Sequence, residues 1–274
     1  MHQLWAWGLV GTLGVLSTAC GNDGDDGGGG GGGGDTASGG TGGGSTPQST
    51  GGSEPVTEGT TFGETHEGSY HLGPVDFAET EWHNACAPYP PEIQALTGVY
   101  LAGVDNSLAG DGSLCDACAL VTTRLGRELL VHLVTFGVSN APGDMDVSPE
   151  AYEFLHEEDP EGTPSNPRPM TWQLAECPAE GNIFLQWQTE ANIWWTSLWV
   201  RNSRLPVSSL EVRSTNHSDY AELQRGTDGT FTDASGFGEG AFDLRITASD
   251  GTALTASFDS FEPGSLVNAG VQFD

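Results

Sequence analysis

The chain contains no lysine: its eight basic residues are all arginine, set against 38 aspartates and glutamates, for a formal charge of −30. A surface of that sign repels phosphate backbones, so nucleic acid is a poor partner and none is expected. A Walker-type phosphate loop needs a lysine after its glycines, so the glycine run near the N-terminus is not a nucleotide cradle. The same charge disfavours strongly anionic polymers of any kind, an objection that high ambient salt weakens. There is no Gly-x-Ser-x-Gly elbow and no His-Glu-x-x-His pair; His66, Glu67 and His71 are wrongly spaced for the latter. Cofactor motifs are absent, so no cofactor and no metal is expected.

Long apolar runs are lacking too. Leu4 to Leu16 is too short to span a bilayer comfortably but suits the core of a signal peptide. The following LSTAC resembles a bacterial lipobox, with Cys20 as the lipidated new N-terminus; Ser17 and Ala19 also fit ordinary cleavage after Ala19. Removing Cys20 leaves four cysteines, an even number able to pair in an oxidising compartment, which favours the lipid. Residues 21–62 are Gly, Ser, Thr and Asp with almost nothing apolar, and are expected to form a disordered tether. The protein is thus expected to be exported, held at the cell envelope or outer surface as a lipoprotein, or else secreted. Its only membrane contact would be the N-terminal lipid, and a monomer is expected.

Beyond the tether the length suffices for two compact units. Short apolar runs at Val99–Val104, Ala119–Thr122 and Leu129–Phe136, separated by Gly and Asp turns, indicate an all-β barrel or sandwich. One helix interrupts them: Ser148 is a good N-cap, Pro149 fits the first helical position, and Ala151, Phe154 and Leu155 recur on one face. His156 to Pro169 reads as a long acidic, proline-rich loop. Cys86, Cys115, Cys118 and Cys177 would bind zinc in a reducing compartment, but export favours disulfides, for which the sequence allows three pairings. Further on, Leu210 and Val212 alternate with Glu211 and Arg213, the period of a half-buried strand, and Asn202–Pro206 read as a turn. Trp194 and Trp195 precede that turn. Neighbours in a regular strand point to opposite faces, so both indoles reach solvent only if the chain bulges or starts its strand there. Otherwise the pair straddles a strand with one ring in the core.

The run WW, three residues, VRN, then Pro-Val and LEV resembles the carbohydrate-binding second domain of bacterial expansins, which loosen walls without hydrolysis. GFGEGAFDLRITASDG (Gly236–Gly251) resembles that domain's later strands, and Val271–Phe273 its closing strand. HEG at His66, GVYLAGVDN at Gly98 and GDMDVSPEAY at Gly143 resemble the expansin barrel, a fold shared with family-45 endoglucanases and rare lipoprotein A. The resemblance implies an all-β chain: a six-stranded double-psi β-barrel over 63–177 and an immunoglobulin-like β-sandwich over 178–274, after a signal peptide (1–20) and the tether. LCDACALV resembles the barrel's CGAC segment, implying Cys86–Cys115 and Cys118–Cys177 disulfides.

Carried over residue by residue, the resemblance places Asp146 at the barrel's groove aspartate, where related glucanases hold their general acid. An inverting glycosidase needs a second carboxylate about 6.5–9.5 Å away, and none is found at the matching place near Tyr70 and His71. Asp144 could share a face with Asp146, and Asp146 could equally be a helix-entry residue near Ser148. The family's groove Asp and Tyr fall at Thr135 and Gly137, and its groove Thr at Tyr70 or His71. In the second domain the third aromatic of the family's row falls near Asp228, leaving Trp194 and Trp195 as the sugar platform. Trp199 shares parity with Trp195 and would extend it, while Trp187 and Phe231 are expected in the core. The implied function is binding of cell-wall polysaccharide, a cellulose-like β-glucan or peptidoglycan, with non-hydrolytic loosening. The alternatives are a glycan-cleaving barrel, endoglucanase-like or lytic transglycosylase-like, and a surface glycan-binding module with an inactive barrel.

Overall fold

The computed structural model describes residues 53–78, 84–93, 96–138, 141–156 and 168–274. The signal segment, Cys20, the tether up to residue 52 and residues 157–167 of the acidic loop lie outside the described residues. The tether's expected end moves: the chain is already fastened at Val56, whose N–H donates to the Gly98 carbonyl (2.9 Å) and whose carbonyl accepts from Leu130 N–H (2.8 Å). Val56 is apolar in an otherwise polar stretch, and it packs beside the buried Val99 and Leu130.

Six strands close the barrel: β1 (Thr61–Leu72), β2 (Tyr100–Asp105), β3 (Cys118–Thr123), β4 (Glu128–Val138), β5 (Met145–Val147) and β6 (Arg168–Ala175), in the order β1-β5-β2-β4-β3-β6. Pairs β1/β5 and β2/β4 are parallel, and the other neighbours antiparallel. Tyr70, Val104, Val131, Met145 and Trp172 fill the interior. Helix α1 (Asn106–Ala109) is a single turn, capped by the Asp105 carboxylate on Ser107 N–H. Helix α2 (Pro149–His156) starts where expected, with Tyr152 N–H on the Ser148 carbonyl (2.8 Å), and buries Ala151 and Leu155.

The remaining strands form two sheets. Strands β7 (Phe184–Trp187), β8 (Thr196–Arg201), β11 (Gln224–Arg225), β12 (Phe231–Asp233) and β15 (Leu266–Asn268) run in the order β11-β12-β8-β7-β15. Facing them are β9 (Val207–Arg213), β10 (Ala221–Glu222), β13 (Phe242–Ala248) and β14 (Ala253–Phe258), in the order β10-β9-β13-β14. The alternation read at Leu210 and Val212 is the inward face of β9, and Trp187 and Phe231 lie in the same core with Phe237, Phe242 and Phe273. The closing strand is Leu266–Asn268 and not Val271–Phe273; those last residues fasten the end irregularly, through Ile183 N–H on the Val271 carbonyl (2.8 Å) and the buried Phe273 ring. Both disulfides pair as the resemblance implied, Cys86–Cys115 and Cys118–Cys177.

Candidate functional site

Across the barrel's outer face the strand register aligns one row of residues. His71 pairs with Asp146, Asp146 with Gly103, and Gly103 with Thr135, so β1, β5, β2 and β4 each contribute one position. Three of these, His71, Asp146 and Thr135, are the groove positions read from the sequence. Tyr70 is not among them. It is buried against Tyr152 with its hydroxyl 3.4 Å from the Leu155 carbonyl, because alternation sends it into the barrel when His71 faces out. Gly103 is glycine for a reason of space: a Cβ there would collide with the Thr135 methyl. The Thr135 hydroxyl is engaged too, accepting from Ala85 N–H at 2.9 Å and so tying a crossing segment beside the row.

Asp144, two residues before Asp146, is buried and held on both oxygens: Oδ1 accepts from Ser69 N–H (2.7 Å) and Oδ2 lies 3.2 Å from His71 Nε2. The Asp146 carboxyl is pushed above the ordinary aspartate range, first by burial and then by the neighbouring Asp144, against an opposing pull from His71. The row therefore holds a carboxyl whose pKa is raised by burial next to a histidine–carboxylate pair.

The tryptophan pair sits on a tight turn and not in a strand. Asn192 N–H donates to the Trp195 carbonyl (2.7 Å), Trp195 N–H returns to the Asn192 carbonyl (3.2 Å), and Asn192 Oδ1 accepts from Trp194 N–H (2.9 Å). Strand β8 begins only at Thr196, which meets the geometric condition for both indoles to reach solvent. Gly236, at φ +67°, packs under Ile193 where a Cβ would strike its carbonyl, and Gly238 N–H donates to that carbonyl at 3.0 Å. Trp194 is 70% exposed and Trp195 half-buried. Trp199 departs from expectation: it is 5% exposed, donates Nε1–H to the Asp228 carbonyl (3.0 Å), and lies 5.2 Å from the Arg201 guanidinium. Parity does place it on the face of Trp195, but the turn around Asp228 holds its indole, and it is Arg201, two residues on, that meets the barrel.

The covering contact was not legible as a site. Arg201, fully buried, pairs with Asp116 of the barrel at 2.5 Å, donates to the Cys86 and Pro88 carbonyls at 2.9 Å each and to Gln186 Oε1 at 2.9 Å, and stacks 3.9 Å from the Tyr89 ring centre. Asp116 lies between Cys115 and Cys118 at φ +66°, with His132 Nε2 3.6 Å from its other oxygen. Burial pushes its carboxyl up, but Arg201 and then His132 outweigh that and hold it below the ordinary range. The available signal was an arginine ending the apolar run TSLWV.

No family model matches the sequence. Expansin-like protein 6 of Dictyostelium discoideum is 23% identical over 178 residues, which is 63% of this chain and 60% of that protein. Expansin-like protein 1 of the same organism is 20% identical, over 64% of this chain and 61% of that protein. The chain thus spans about 60% of the length of these two relatives. Among solved structures, the apo expansin of Clavibacter michiganensis superposes with a TM-score of 0.63 at 18% identity, over 76% of this chain and 98% of that one. A mutant of that expansin in complex with cellohexaose gives 0.62 with the same coverage. The chain is thus similar to expansin-like proteins, and its fold is the expansin fold.

Proposed function

We propose that this is an exported polysaccharide-binding protein that loosens cell-wall glycan without hydrolysing it, gripping one chain in the barrel row and another on the tryptophan turn. The observation that carries the reading is Trp194, a 70%-exposed indole on a turn held by Asn192 and backed by Gly236. An exposed indole on a rigid support fits recognition of a sugar face, since covering about 80 Å² of it is worth about 2 kcal/mol. The half-buried Trp195 adds less. Two such contacts, offset by the cost of association, give millimolar affinity at best for one site. Retention then needs a polymer with many sites, or dense display of the protein.

Three features support loosening over cleavage. Among the described residues no second carboxylate shares the row of Asp146, and Asp144, two residues along the strand, is engaged by Ser69 and His71. The domains 63–177 and 178–274 are joined through a buried ion pair, which lets force on one surface reach the other. The Clavibacter expansin, of the same fold, has been captured with cellohexaose. The net charge of −30 favours a neutral glycan. Lipidation at Cys20, with the stretch that follows as a spacer, completes the proposal: a monomer displayed at the cell surface.

The test is sedimentation of the protein from residue 53 onward with microcrystalline cellulose, chitin and peptidoglycan, alongside a Trp194→Ala/Trp195→Ala variant of matched circular dichroism. Co-sedimentation of the native protein with one polymer and loss in the variant is expected; equal behaviour of the two overturns the reading. Weakening of loaded paper or wall strips without release of reducing ends separates loosening from hydrolysis. Binding with no weakening would leave a glycan-binding module.

A further inference from the structure

The tryptophan turn rests on the 233–239 loop, and that loop is braced from the facing sheet of the sandwich. The brace is the connection 214–220 between β9 and β10. It closes on itself through reciprocal backbone bonds, Ser214 N–H to the His217 carbonyl (2.9 Å) and His217 N–H to the Ser214 carbonyl (3.2 Å). Three consecutive side chains then reach the loop. Thr215 Oγ1 donates to the Glu239 carbonyl (2.5 Å), Asn216 Nδ2 to the Ser235 and Gly236 carbonyls (3.1 and 2.8 Å), and His217 Nε2 lies 2.6 Å from Asp233 Oδ2. Gly238, at φ +77°, allows this approach, since a Cβ there would lie 2.7 Å from Asn216 Oδ1.

Of the three contacts, that of His217 ends on a side chain placed where the loop joins the platform. Asp233 is the last residue of β12, and its register partner is Thr196, the first residue of β8. Its Oδ1 accepts from Ser235 N–H (2.9 Å) and its carbonyl from Gly236 N–H (3.1 Å), so Asp233 shapes the bend that delivers Gly236 under Ile193. Beyond the bend, Phe237 N–H donates to Thr196 Oγ1 (3.2 Å), whose own hydrogen goes to the Asn192 carbonyl (2.9 Å), and Gly238 N–H donates to the Ile193 carbonyl (3.0 Å). Every link from the imidazole to the residues flanking Trp194 is therefore a hydrogen bond or a close backbone contact. The His217 and Asp233 side chains are only 21% and 11% exposed, so water competes little for their bond. A carboxylate oxygen only accepts, so Nε2 carries the proton that it donates.

We infer that His217 is a positioning residue of the tryptophan platform. Through Asp233 it sets the 233–239 loop, and through the loop it sets the angle at which Trp194 meets a sugar face. The consequence for binding rests on the glycan-binding reading; the hold on the turn does not.

The experiment compares the native protein with His217→Ala and His217→Gln by amide hydrogen exchange and by sedimentation with microcrystalline cellulose, chitin and peptidoglycan. His217→Ala should quicken exchange at the Trp195 and Gly238 amides about tenfold while Leu244 and Ile246 in β13 stay unchanged, and should weaken sedimentation about three- to tenfold. Glutamine places an N–H at the reach of Nε2, so His217→Gln should bring both measurements back to within about twofold of the native protein. Exchange that rises equally in β13 would mark a general loss of stability and overturn the inference. Unchanged exchange at the turn, undiminished sedimentation of His217→Ala beside a native protein that binds, or failure of His217→Gln to restore would each overturn it too. A native protein that sediments with none of the polymers refutes the glycan reading alone, and exchange at Trp195 and Gly238 still decides whether His217 holds the turn.

Discussion

Asp146 and Trp199 show, residue by residue, how position within the fold decides what a side chain is for. Because burial holds the Asp146 carboxyl above its unfolded value, the folded protein binds this proton more tightly than the unfolded chain does. Stability tied to Asp146 is therefore present below the ordinary aspartate value and lost as pH rises through the higher folded value. An Asp146→Asn variant should match the native protein in urea unfolding near pH 3 and be the more stable of the two near pH 7. A native protein more stable than the variant at pH 7 would show that the carboxylate is held by a favourable contact. For the indoles the contrast is between surface and core. Trp194→Ala should change stability by no more than about 0.5 kcal/mol while lowering glycan binding. Trp199→Ala removes a buried ring and its hydrogen bond to the Asp228 carbonyl, and should cost about 3–5 kcal/mol, read as a fall in the urea midpoint.

At the scale of elements, the platform is made by a turn and the loop beneath it. Gly236 holds a positive φ and sits where any Cβ would meet the Ile193 carbonyl. Gly236→Val should therefore push the 192–195 turn outward, cost at least about 1 kcal/mol, and reduce sedimentation with polymer although residue 236 touches no sugar. A Gly236→Val variant that binds as well as the native protein would show that the turn's position is unimportant. The elements themselves were largely legible, because their signals are local. Alternation gave β9, the Ser148–Pro149 pair gave the start of α2, and the cysteine segment gave both disulfides by resemblance. What escaped depends on distant parts of the chain. Period-two alternation correctly puts Trp199 on the face of Trp195, yet only tertiary packing decides that Trp199 is buried while Trp195 is half-exposed. Between Tyr70 and His71 the sequence held a one-residue ambiguity, and the strand pairs Tyr70 with Met145 and His71 with Asp146, which puts His71 in the row. The tether's end was misread because one valine, Val56, among polar residues carries no periodicity.

At the scale of the whole molecule, the proposed loosening by grip requires that the two surfaces proposed to face glycan do not pivot freely. The joint centres on Asp116 and Arg201, both removed from water, with Tyr89, Gln186 and the Cys86 and Pro88 carbonyls completing the arginine's contacts. Such a pair is weak evidence for net stability, since two well-packed apolar side chains would do as well, but removing one partner strands the other. Arg201→Met should thus cost about 3–5 kcal/mol near neutral pH. With its folded pKa depressed, Asp116 contributes stability above the ordinary aspartate value that is lost as pH falls through the lower folded value, so the penalty of Arg201→Met should shrink in strong acid. The barrel and the sandwich each keep a core of their own beside the cluster they share at the joint, so calorimetry of the variant should resolve two transitions where the native protein shows one, with small-angle scattering reporting a larger radius. The same variant isolates mechanics from recognition: Trp194 and Trp195 are untouched, so sedimentation with polymer should persist while weakening of loaded strips disappears. If weakening survives a joint that calorimetry and scattering both show to be loose, the two surfaces act independently and coupled gripping is the wrong mechanism.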